Sequence, residues 1–493
     1  MKTIARLLGA AAILAASGTA ALSARTDLVV GVVLEPPHLD PTAGAAAAID
    51  EIVYANIFEG LTRIGPSGDV LPALAESWEI SEDGKTYTFK LHEGVKFHDG
   101  TTFDAEDVKF TLERAMVEDS VNAQKVLFSA IDGVEVVDPA TVKVTLEHPQ
   151  GSFLYNMGWG DAVIVAPESA GGNKENPIGT GPFKFDSWAK GSSVTMSKNP
   201  DYWGEPAALE KAEFRFIPDA AASVTALLSG DVQAFPNMQA GDALPQIEAD
   251  PRFEVVIGAT EGETILAMNN GKEPFGNLKV RQAISHAVNR DEVILGATSG
   301  HGVPIGTHFS PANPAYVDLT GTYPHDVEKA RALLAEAGYP DGFSATLKLP
   351  PPPYARLGGE IIASELREVG INLEIIPMEW AQWLEQVFTN KDYDLTIVSH
   401  TEPNDINIYA RDDYYFDYQN PKFKEVMAEL DATTDREKRN ELYGQAQRIL
   451  TEDAVNVFLF QLPKVGVWDA KLEGMWENMP IQANDLTKVR WVD

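Results

Sequence analysis

The pattern of hydrophobic and polar positions differs between the two halves of the chain. In the first half, short runs that alternate apolar and polar residues are joined by turns rich in Asp, Gly and Pro. Residues 78–91 (WEISEDGKTYTFKL) and 134–146 have this form, and each predicts a β-hairpin. Between them, residues 103–114 predict an amphipathic helix with Asp104 as its N-cap. The first half is therefore expected to be rich in antiparallel strands.

The second half alternates strands with helices. Apolar spacing predicts a strand at 344–349, a helix at 355–369 ended by Gly370, a strand at 371–376, a helix at 380–390 and a strand at 393–399. This order predicts parallel strands joined by helical crossovers.

Polar or aromatic segments follow all three of these predicted strands. The segments are PPPYAR (351–356), PMEWAQW (377–383) and HTEPNDINIYAR (400–411). The carboxyl ends of parallel strands lie at one edge of a sheet, and ligands of open α/β sheets bind at that edge. The sequence therefore predicts a ligand site there.

Length, charge and cysteine content restrict the class of protein. A chain of 493 residues is too long for one core and predicts two or three domains. The 73 Asp and Glu residues outnumber the 39 Lys and Arg residues, and the net charge of −34 disfavours nucleic acids and anionic membranes as partners. The chain has no cysteine, which excludes disulfides, thiolate metal sites and cysteine nucleophiles.

Residues 1–24 have the pattern of a secretory signal peptide. Lys2 and Arg6 precede an apolar run that is too short to span a bilayer as a helix, and small residues follow it. We expect cleavage between Ala20 and Arg25, export to a bacterial periplasm and no lipid anchor.

Motifs of catalysis and metal binding are scarce. The chain has no G-x-S-x-G elbow, Walker loop, H-E-x-x-H motif or dinucleotide-binding signature. His92 and His98 lie in a predicted turn, where capping or surface roles are expected, and IGTGPF (178–183) predicts a tight crossing between strands. These features favour binding over catalysis, with no cofactor and no metal.

Five segments together resemble the bacterial extracellular solute-binding proteins of family 5, the periplasmic receptors of peptide- and nickel-type ABC transporters. The segments are YANIFEGL (54–61), LAESWEISEDGKTYTFKLHEGVKFHDGTTFDAEDVKFTLER (74–114), GTGPFKFDSWAKGSSVTMSKNPDYWG (179–204), VRQAISHAVNRDEVI (280–294) and DVEKARALLAEAGYPDGF (326–343). They occur in this order over nearly the whole chain after the leader. The resemblance implies an α/β, two-lobed periplasmic binding protein fold of type II, in its large form, with a hinge that closes on a ligand.

The resemblance also implies the domain organisation. Lobe I is expected at 25–260 with an extra subdomain at about 56–178, lobe II at 261–467, and a return to lobe I at 468–493. A monomer without catalytic activity is implied, with an ABC permease of the inner membrane as its partner.

Several ligand-binding residues follow from the resemblance. In peptide-binding members, an aspartate after a strand of the second lobe pairs with the α-amino group of the ligand, and an arginine receives its carboxylate. The usual Asp-Tyr-Pro-Asp run is not preserved here, so Glu402 or Asp405, on either side of Pro403, must take the amine, and a plain dipeptide is in doubt. Arg356 lies where the arginine is expected, and its guanidinium suits a carboxylate.

Further candidates lie near strand ends. His38 and Asn269 lie where the family has cleft-facing groups, although Asn269 can equally bond the hinge backbone. The remaining candidates are polar or aromatic side chains at predicted strand ends, the aromatic ones able to stack on a ring, a sugar or a cation: Glu35, Tyr354, Trp380, Trp383 and His400. Trp380 and Trp383 share one helix face, so one of them can belong to the core.

The sequence thus predicts a transport receptor that captures a small polar solute, foremost a di- or oligopeptide, and delivers it to a permease. An oligosaccharide, an opine-like conjugate or another amine is the alternative cargo, and a metal ranks third. An exported hydrolase and a periplasmic chaperone-like binder are the competing classes.

Overall fold

The computed structural model describes residues 25–44, 46–238, 243–402 and 405–492. The predicted signal peptide lies outside the described residues. Within these ranges, the structure contains no helix of the length and apolar character that a membrane span requires.

Strands and helices are numbered in chain order. The strands are β1 (Asp27–Val32), β2 (Thr62–Ile64), β3 (Val70–Pro72), β4 (Ala75–Ile80), β5 (Thr86–Leu91), β6 (Ile131–Asp138), β7 (Thr141–Leu146), β8 (Phe183–Ala189), β9 (Ser193–Lys198), β10 (Lys211–Phe216), β11 (Ala234–Phe235), β12 (Phe253–Met268), β13 (Val303–Pro304), β14 (Phe343–Leu349), β15 (Ile371–Pro377), β16 (Leu395–His400), β17 (Asn456–Asp469), β18 (Leu472–Glu473) and β19 (Arg490–Trp491). The helices are α1 (Ala47–Val53), α2 (Ala105–Met116), α3 (Phe153–Asn156), α4 (Ala220–Ser229), α5 (Leu244–Glu248), α6 (Leu278–Ala287), α7 (Arg290–Thr298), α8 (Val327–Glu336), α9 (Pro353–Glu368), α10 (Trp380–Trp383), α11 (Pro421–Ala432) and α12 (Arg436–Glu452).

One large mixed sheet runs through the molecule, in the order β15-β14-β16-β12-β17-β11-β1-β10-β9-β8, with β13 paired to β17. The long strands β12 and β17 are antiparallel, and their register shifts between Ala259 and Glu263. On either side of this interruption the sheet supports separate cores. We call the part with β1 and β8–β11 lobe I and the part with β14–β16 lobe II. The boundaries predicted after residues 260 and 467 stay a prediction.

Each lobe buries its own apolar residues. The main core of lobe I joins β1 and β10 to the carboxyl-terminal segment through residues such as Val30, Phe214 and Val489. In lobe II, the helices α6, α7 and α9 cover one sheet face around Leu347, and α11 and α12 cover the other around Phe458. The sheet of lobe II is therefore held by apolar layers on both faces.

A four-stranded antiparallel sheet, β4-β5-β7-β6, forms the extra subdomain of lobe I, and both predicted hairpins are confirmed. Asp104 caps α2 as predicted, because its side chain accepts a hydrogen bond from Glu106 N at 2.8 Å. Asp107 Oδ2 accepts from Asp104 N at 2.9 Å and completes a capping box. The subdomain also touches lobe II, where the backbone N–H of Gly151 donates to the carbonyl of Asp431 at 2.8 Å.

The segment 178–183 is the predicted tight crossing. A Cβ on Gly179 would lie 2.0 Å from the carbonyl oxygen of Ile57, so only glycine permits this approach. His98 ties the same segment down, with Nε2 2.9 Å from the carbonyl of Gly181 and Nδ1 accepting from Gly179 N. This is the capping role expected for His98.

The parallel units predicted in the second half are confirmed. β14 pairs in parallel with both β15 and β16, and α9 and α10 form the crossovers. Gly370 follows α9 with a φ of +89°, a left-handed conformation that favours glycine and ends the helix. The carboxyl ends of all three strands lie at one edge, which is where the candidate site begins.

Candidate functional site

The loop after β16 turns into a short 3-10 helix, Asp405–Ala410. It leaves the sheet edge on the side that faces lobe I. Of its two candidate acids, Glu402 is exposed, whereas Asp405 is buried beneath the loop. Pro403 lies outside the described residues.

A cavity of about 160 Å³ lies between the lobes beside this loop. Lobe II contributes Thr401 and Glu402 to its walls. Lobe I supplies the other lining residues: Ala47, Asp50, Tyr54, Gln124, Trp159, Gly160, Asp161, Ile481 and Gln482. We call it the interlobe cavity. A ligand in it would contact both lobes.

Both carboxylate oxygens of Asp405 are engaged. Oδ1 lies 2.8 Å from His308 Nε2, and Oδ2 lies 3.3 Å from His400 Nδ1. Burial alone would raise the pKa of Asp405, but the two imidazoles outweigh it and hold this pKa below its usual range. Asp405 is thus a charged group that supports the loop from below, and of the two candidate acids of this loop Glu402 is the one that lines the interlobe cavity.

Hydrogen bonds determine the tautomer of His308. An ionised carboxylate only accepts, so His308 Nε2 carries the proton that it donates to Asp405. In the neutral ring Nδ1 then accepts from the Tyr409 hydroxyl, 3.1 Å away, and that hydroxyl accepts from Asn456 Nδ2 at 3.0 Å. Burial lowers the pKa of His308, which keeps the ring neutral at pH 7. His308 lies in the loop after β13, where the sequence carries no motif that would have identified it.

His308, His400 and Asp405 are also of the residue types that bind transition metals. One donor atom from each lies within 4.8 Å of the others. The remaining ring nitrogen, His400 Nε2, lies 3.0 Å from the Tyr415 hydroxyl, so each of the four ring nitrogens has a protein partner. A metal would have to displace these hydrogen bonds, and the cluster fits better as a support for the loop.

Two further acids, Glu261 and Glu263, lie at the register shift of β12. Burial and the neighbouring Asp405 charge raise the pKa of Glu261 to about 7 and that of Glu263 well above its usual value. Glu263 Oε2 has no hydrogen-bond partner within the described ranges. Neither acid was predicted, because an alternating strand gives no sign of which polar residue is buried at a hinge.

Tyr354 and Arg356 lie at the predicted edge of lobe II. The Tyr354 hydroxyl accepts a hydrogen bond from Ser399 N at 3.1 Å, and burial raises the pKa of Tyr354 to about 12. Arg356 lies 3.5 Å from the carboxylate of Glu379, and its Nη2 donates to the carbonyl of Met378 at 3.4 Å. Both residues flank the strand ends but do not line the interlobe cavity.

Trp380 and Trp383 have different environments. Trp383 is only 4% exposed, and its Nε1 donates to Thr396 Oγ1 at 2.9 Å, so it belongs to the core. Trp380 is 42% exposed and packs edge-on against Trp383 with ring centroids 5.5 Å apart. Neither lines the interlobe cavity.

Glu35 and His38 follow β1 in lobe I. Glu35 Oε1 accepts hydrogen bonds from Trp188 Nε1 at 3.0 Å and Gly191 N at 2.8 Å. His38 Nδ1 accepts from Asp40 N at 3.3 Å, and burial lowers the pKa of His38. The structure does not bring either residue to the interlobe cavity.

Asn269 lies at the far end of lobe II from the interlobe cavity. It follows β12 beside Leu395, where β16 begins, whereas the candidate loop leaves the other end of β16. Its Nδ2 donates to the carbonyls of Lys391 at 3.0 Å and Tyr393 at 3.2 Å. Its side chain therefore stabilises a loop at the opposite end of the sheet. These hydrogen bonds lie in neither the cleft nor the hinge.

Comparisons with known proteins agree with this architecture. The family model described as bacterial extracellular solute-binding proteins, family 5 middle, matches residues 69–403. The glutathione-binding protein GsiB of Pectobacterium atrosepticum is 31% identical over 505 residues, which cover 96% of this chain and 95% of the relative. The dipeptide-binding protein of Escherichia coli is 31% identical over 439 residues, which cover 80% and 81% of the two chains.

A solved structure has the same fold. It is the periplasmic binding protein DppA from Helicobacter pylori in complex with the peptide STSA. The TM-score is 0.77 at 26% sequence identity, with 95% of this chain and 99% of that chain covered. The predicted two-lobed α/β fold is confirmed.

Proposed function

Because the chain belongs to the bacterial extracellular solute-binding proteins of family 5, we propose that it is the periplasmic receptor of an ABC importer for a peptide with a free amino terminus. It is exported by its signal peptide, captures the peptide between its lobes and delivers it to a membrane permease without catalysis. The glutathione- and dipeptide-binding relatives support a peptide cargo. The observation that carries the proposal is the interlobe cavity, which lobe II borders at the carboxyl end of β16.

Glu402 is the acid that pairs with the α-amino group of the peptide in this proposal. Its carboxylate borders the interlobe cavity, while Asp405 is held by His308 and His400. Arg356 is the candidate for the peptide carboxylate, since its Nε is buried without a hydrogen-bond partner in the described part of the chain.

Replacing Glu402 with glutamine is expected to weaken peptide binding tenfold to a hundredfold, about 1.4 to 2.7 kcal/mol, because the ammonium group loses its ionic partner. Isothermal titration with trialanine and N-acetyl-trialanine measures this loss. The acetylated peptide should bind weakly to the wild type and show little further loss in the variant. Glu425→Gln, an exposed change on α11, is the matched control and should bind trialanine like the wild type. Unchanged trialanine affinity in Glu402→Gln would remove this loop from the amine site.

Native mass spectrometry of the protein from its own periplasm identifies the cargo. A bound peptide supports the proposal, whereas a sugar or an opine-like conjugate favours the alternative cargo. Turnover of peptides or glycosides that cleft substitutions abolish would contradict the role of a receptor without catalysis.

A further inference from the structure

The lobe I side of the interlobe cavity is acidic. Asp50 from α1 and Asp161 line it together with Glu402 of lobe II. The lining residues that the structure describes include no lysine, arginine or histidine. The aromatic rings of Tyr54 and Trp159 complete the walls. The proposed function accounts for Glu402 but leaves the two aspartates without a role.

Asp161 is buried without a counterpart. It is 4% exposed, and its Oδ1 has no hydrogen-bond partner in the portion of the chain that is described. The Oδ1 of Asp50 is likewise buried without a hydrogen-bond partner among the described residues. Ionised carboxylates in such a place are strongly unfavourable unless a cation or hydrogen-bond donors meet them. A cationic group on the ligand would supply the positive charge and hydrogen-bond donors that these carboxylates lack.

The two aspartates are held close by the local backbone. A Cβ on Gly160 would lie 2.1 Å from Asp50 Oδ1, so glycine lets this carboxylate pack against the segment that carries Asp161. Burial raises the pKa of Asp161 to about 7. Burial, together with the charges of Asp161 and Glu51, raises the pKa of Asp50 well above its usual range. A cation entering the cavity would therefore displace protons.

Other charged groups near the pair do not neutralise it. Glu51 on α1 is acidic, and burial raises its pKa to about 7. A second cavity of about 170 Å³ lies on lobe I, shares Asp161 and is lined by Arg114 and Asp119. Arg114 is engaged elsewhere, since it lies 3.7 Å from Asp40 and donates to Thr42 Oγ1 at 2.7 Å.

We propose that Asp50 and Asp161 form a subsite for a second cationic group, so that the cargo is a short peptide with an arginine- or lysine-type side chain. This inference rests on the proposed function, in which Glu402 takes the amino terminus. Trp159 fits the same chemistry, because indole faces attract guanidinium and ammonium groups. The volume of about 160 Å³ is below the roughly 300–1,000 Å³ of drug-sized sites, which favours a di- or tripeptide over longer chains.

The test compares arginine with citrulline, its neutral isostere. The peptides are Arg-Ala-Ala, Ala-Arg-Ala and Ala-Ala-Arg with their citrulline counterparts, titrated calorimetrically into the wild-type protein at pH 7.5. For at least one position, we expect the arginine peptide to bind tenfold tighter or more. Asp161→Asn should abolish this preference, with Asp50→Asn as the second variant. Asp132→Asn, an exposed change on β6, should keep it.

The pH dependence is a second measurement of the same subsite. Protons compete with the ligand cation for Asp50 and Asp161, so the preference for arginine over citrulline should fall at least threefold from pH 8 to pH 6. The contribution of Glu402 is common to both peptides and cancels in this ratio. A preference that is unchanged or rises toward pH 6 would contradict the subsite.

The outcomes separate this inference from the proposed function. Equal binding of arginine and citrulline peptides overturns the subsite and leaves the peptide receptor standing. Binding of agmatine that depends on Asp161, without binding of any peptide, supports the cation subsite and overturns the peptide cargo. Failure of all peptides and of agmatine to bind overturns both.

Discussion

Asp405→Ala is expected to lower the free energy of unfolding by about 3 to 5 kcal/mol. The substitution removes a buried carboxylate that accepts from two imidazoles, His308 and His400. His308 is fully buried, and a change of its tautomer would leave the Tyr409 hydroxyl proton without its acceptor. Its Nε2–H would be left without an acceptor, next to the space of the missing side chain.

Asp405→Asn should cost about half as much as Asp405→Ala. The asparagine oxygen can still accept from His308 Nε2. Its NH₂ group can donate to His400 Nδ1 if the His400 proton moves to Nε2, because the Tyr415 hydroxyl can accept as well as donate. The difference between the two variants therefore tests the tautomer assignment as well as the burial.

Urea unfolding followed by circular dichroism and tryptophan fluorescence measures both effects. Asp413→Ala, on the same segment but exposed, is the control and should change stability by less than about 0.5 kcal/mol. A loss below about 1 kcal/mol in Asp405→Ala, or equal losses in the two Asp405 variants, would contradict this account of the network.

The elements that the sequence predicts well depend on local periodicity and local chemistry. The hairpins, the Asp104 cap and the three parallel strands follow from neighbours within a few residues of one another. The position of the Glu402 loop at one edge of the sheet is also predictable from the sequence, because topology alone directs the carboxyl ends of parallel strands to one side.

The walls of the interlobe cavity could not be predicted in this way. Asp50 and Asp161 line the same cavity as Glu402 only because separate lobes pack together, and no spacing in the sequence encodes that arrangement. Polarity alone also does not distinguish environments: Asn269 bonds a loop at the far end of its strand, and of the two tryptophans on one helix face Trp383 is the one in the core. Which polar side chains face a ligand depends on burial and partners, which only the folded chain defines.

The free energy of unfolding is expected to be largest near pH 5 and to fall by about 3 kcal/mol or more by pH 8. Burial raises the pKa of Asp161 and of Glu261 to about 7 and that of Glu365 to about 8. In the unfolded chain these groups titrate near pH 4. Acids whose pKa is raised by folding add stability below pH 4, and that stability is lost as the pH rises through their folded pKa values. Each unit of pKa difference corresponds to about 1.4 kcal/mol.

Two buried imidazoles act in the opposite direction. Burial lowers the pKa of His98 to about 4 and also lowers that of His308. In the unfolded chain these rings take up protons below about pH 6.5, so they favour the folded state as the pH rises. The buried acids, which include Glu263 as well, outnumber these two imidazoles. The free energy of unfolding therefore still falls as the pH rises, but by less than the acids alone would cause.

Urea midpoints measured from pH 5 to pH 8 test this profile. Asp161→Asn and Glu365→Gln should each reduce the decrease in the free energy of unfolding between pH 5 and pH 8, because an amide has no proton to lose. The exposed control Glu425→Gln should leave the profile unchanged. A saturating cationic ligand should also flatten it by binding the ionised form of Asp161. Stability that rises steadily from pH 5 to pH 8 would mean that these carboxylates are not protonated in the folded protein, and that the cleft is charged before any ligand arrives.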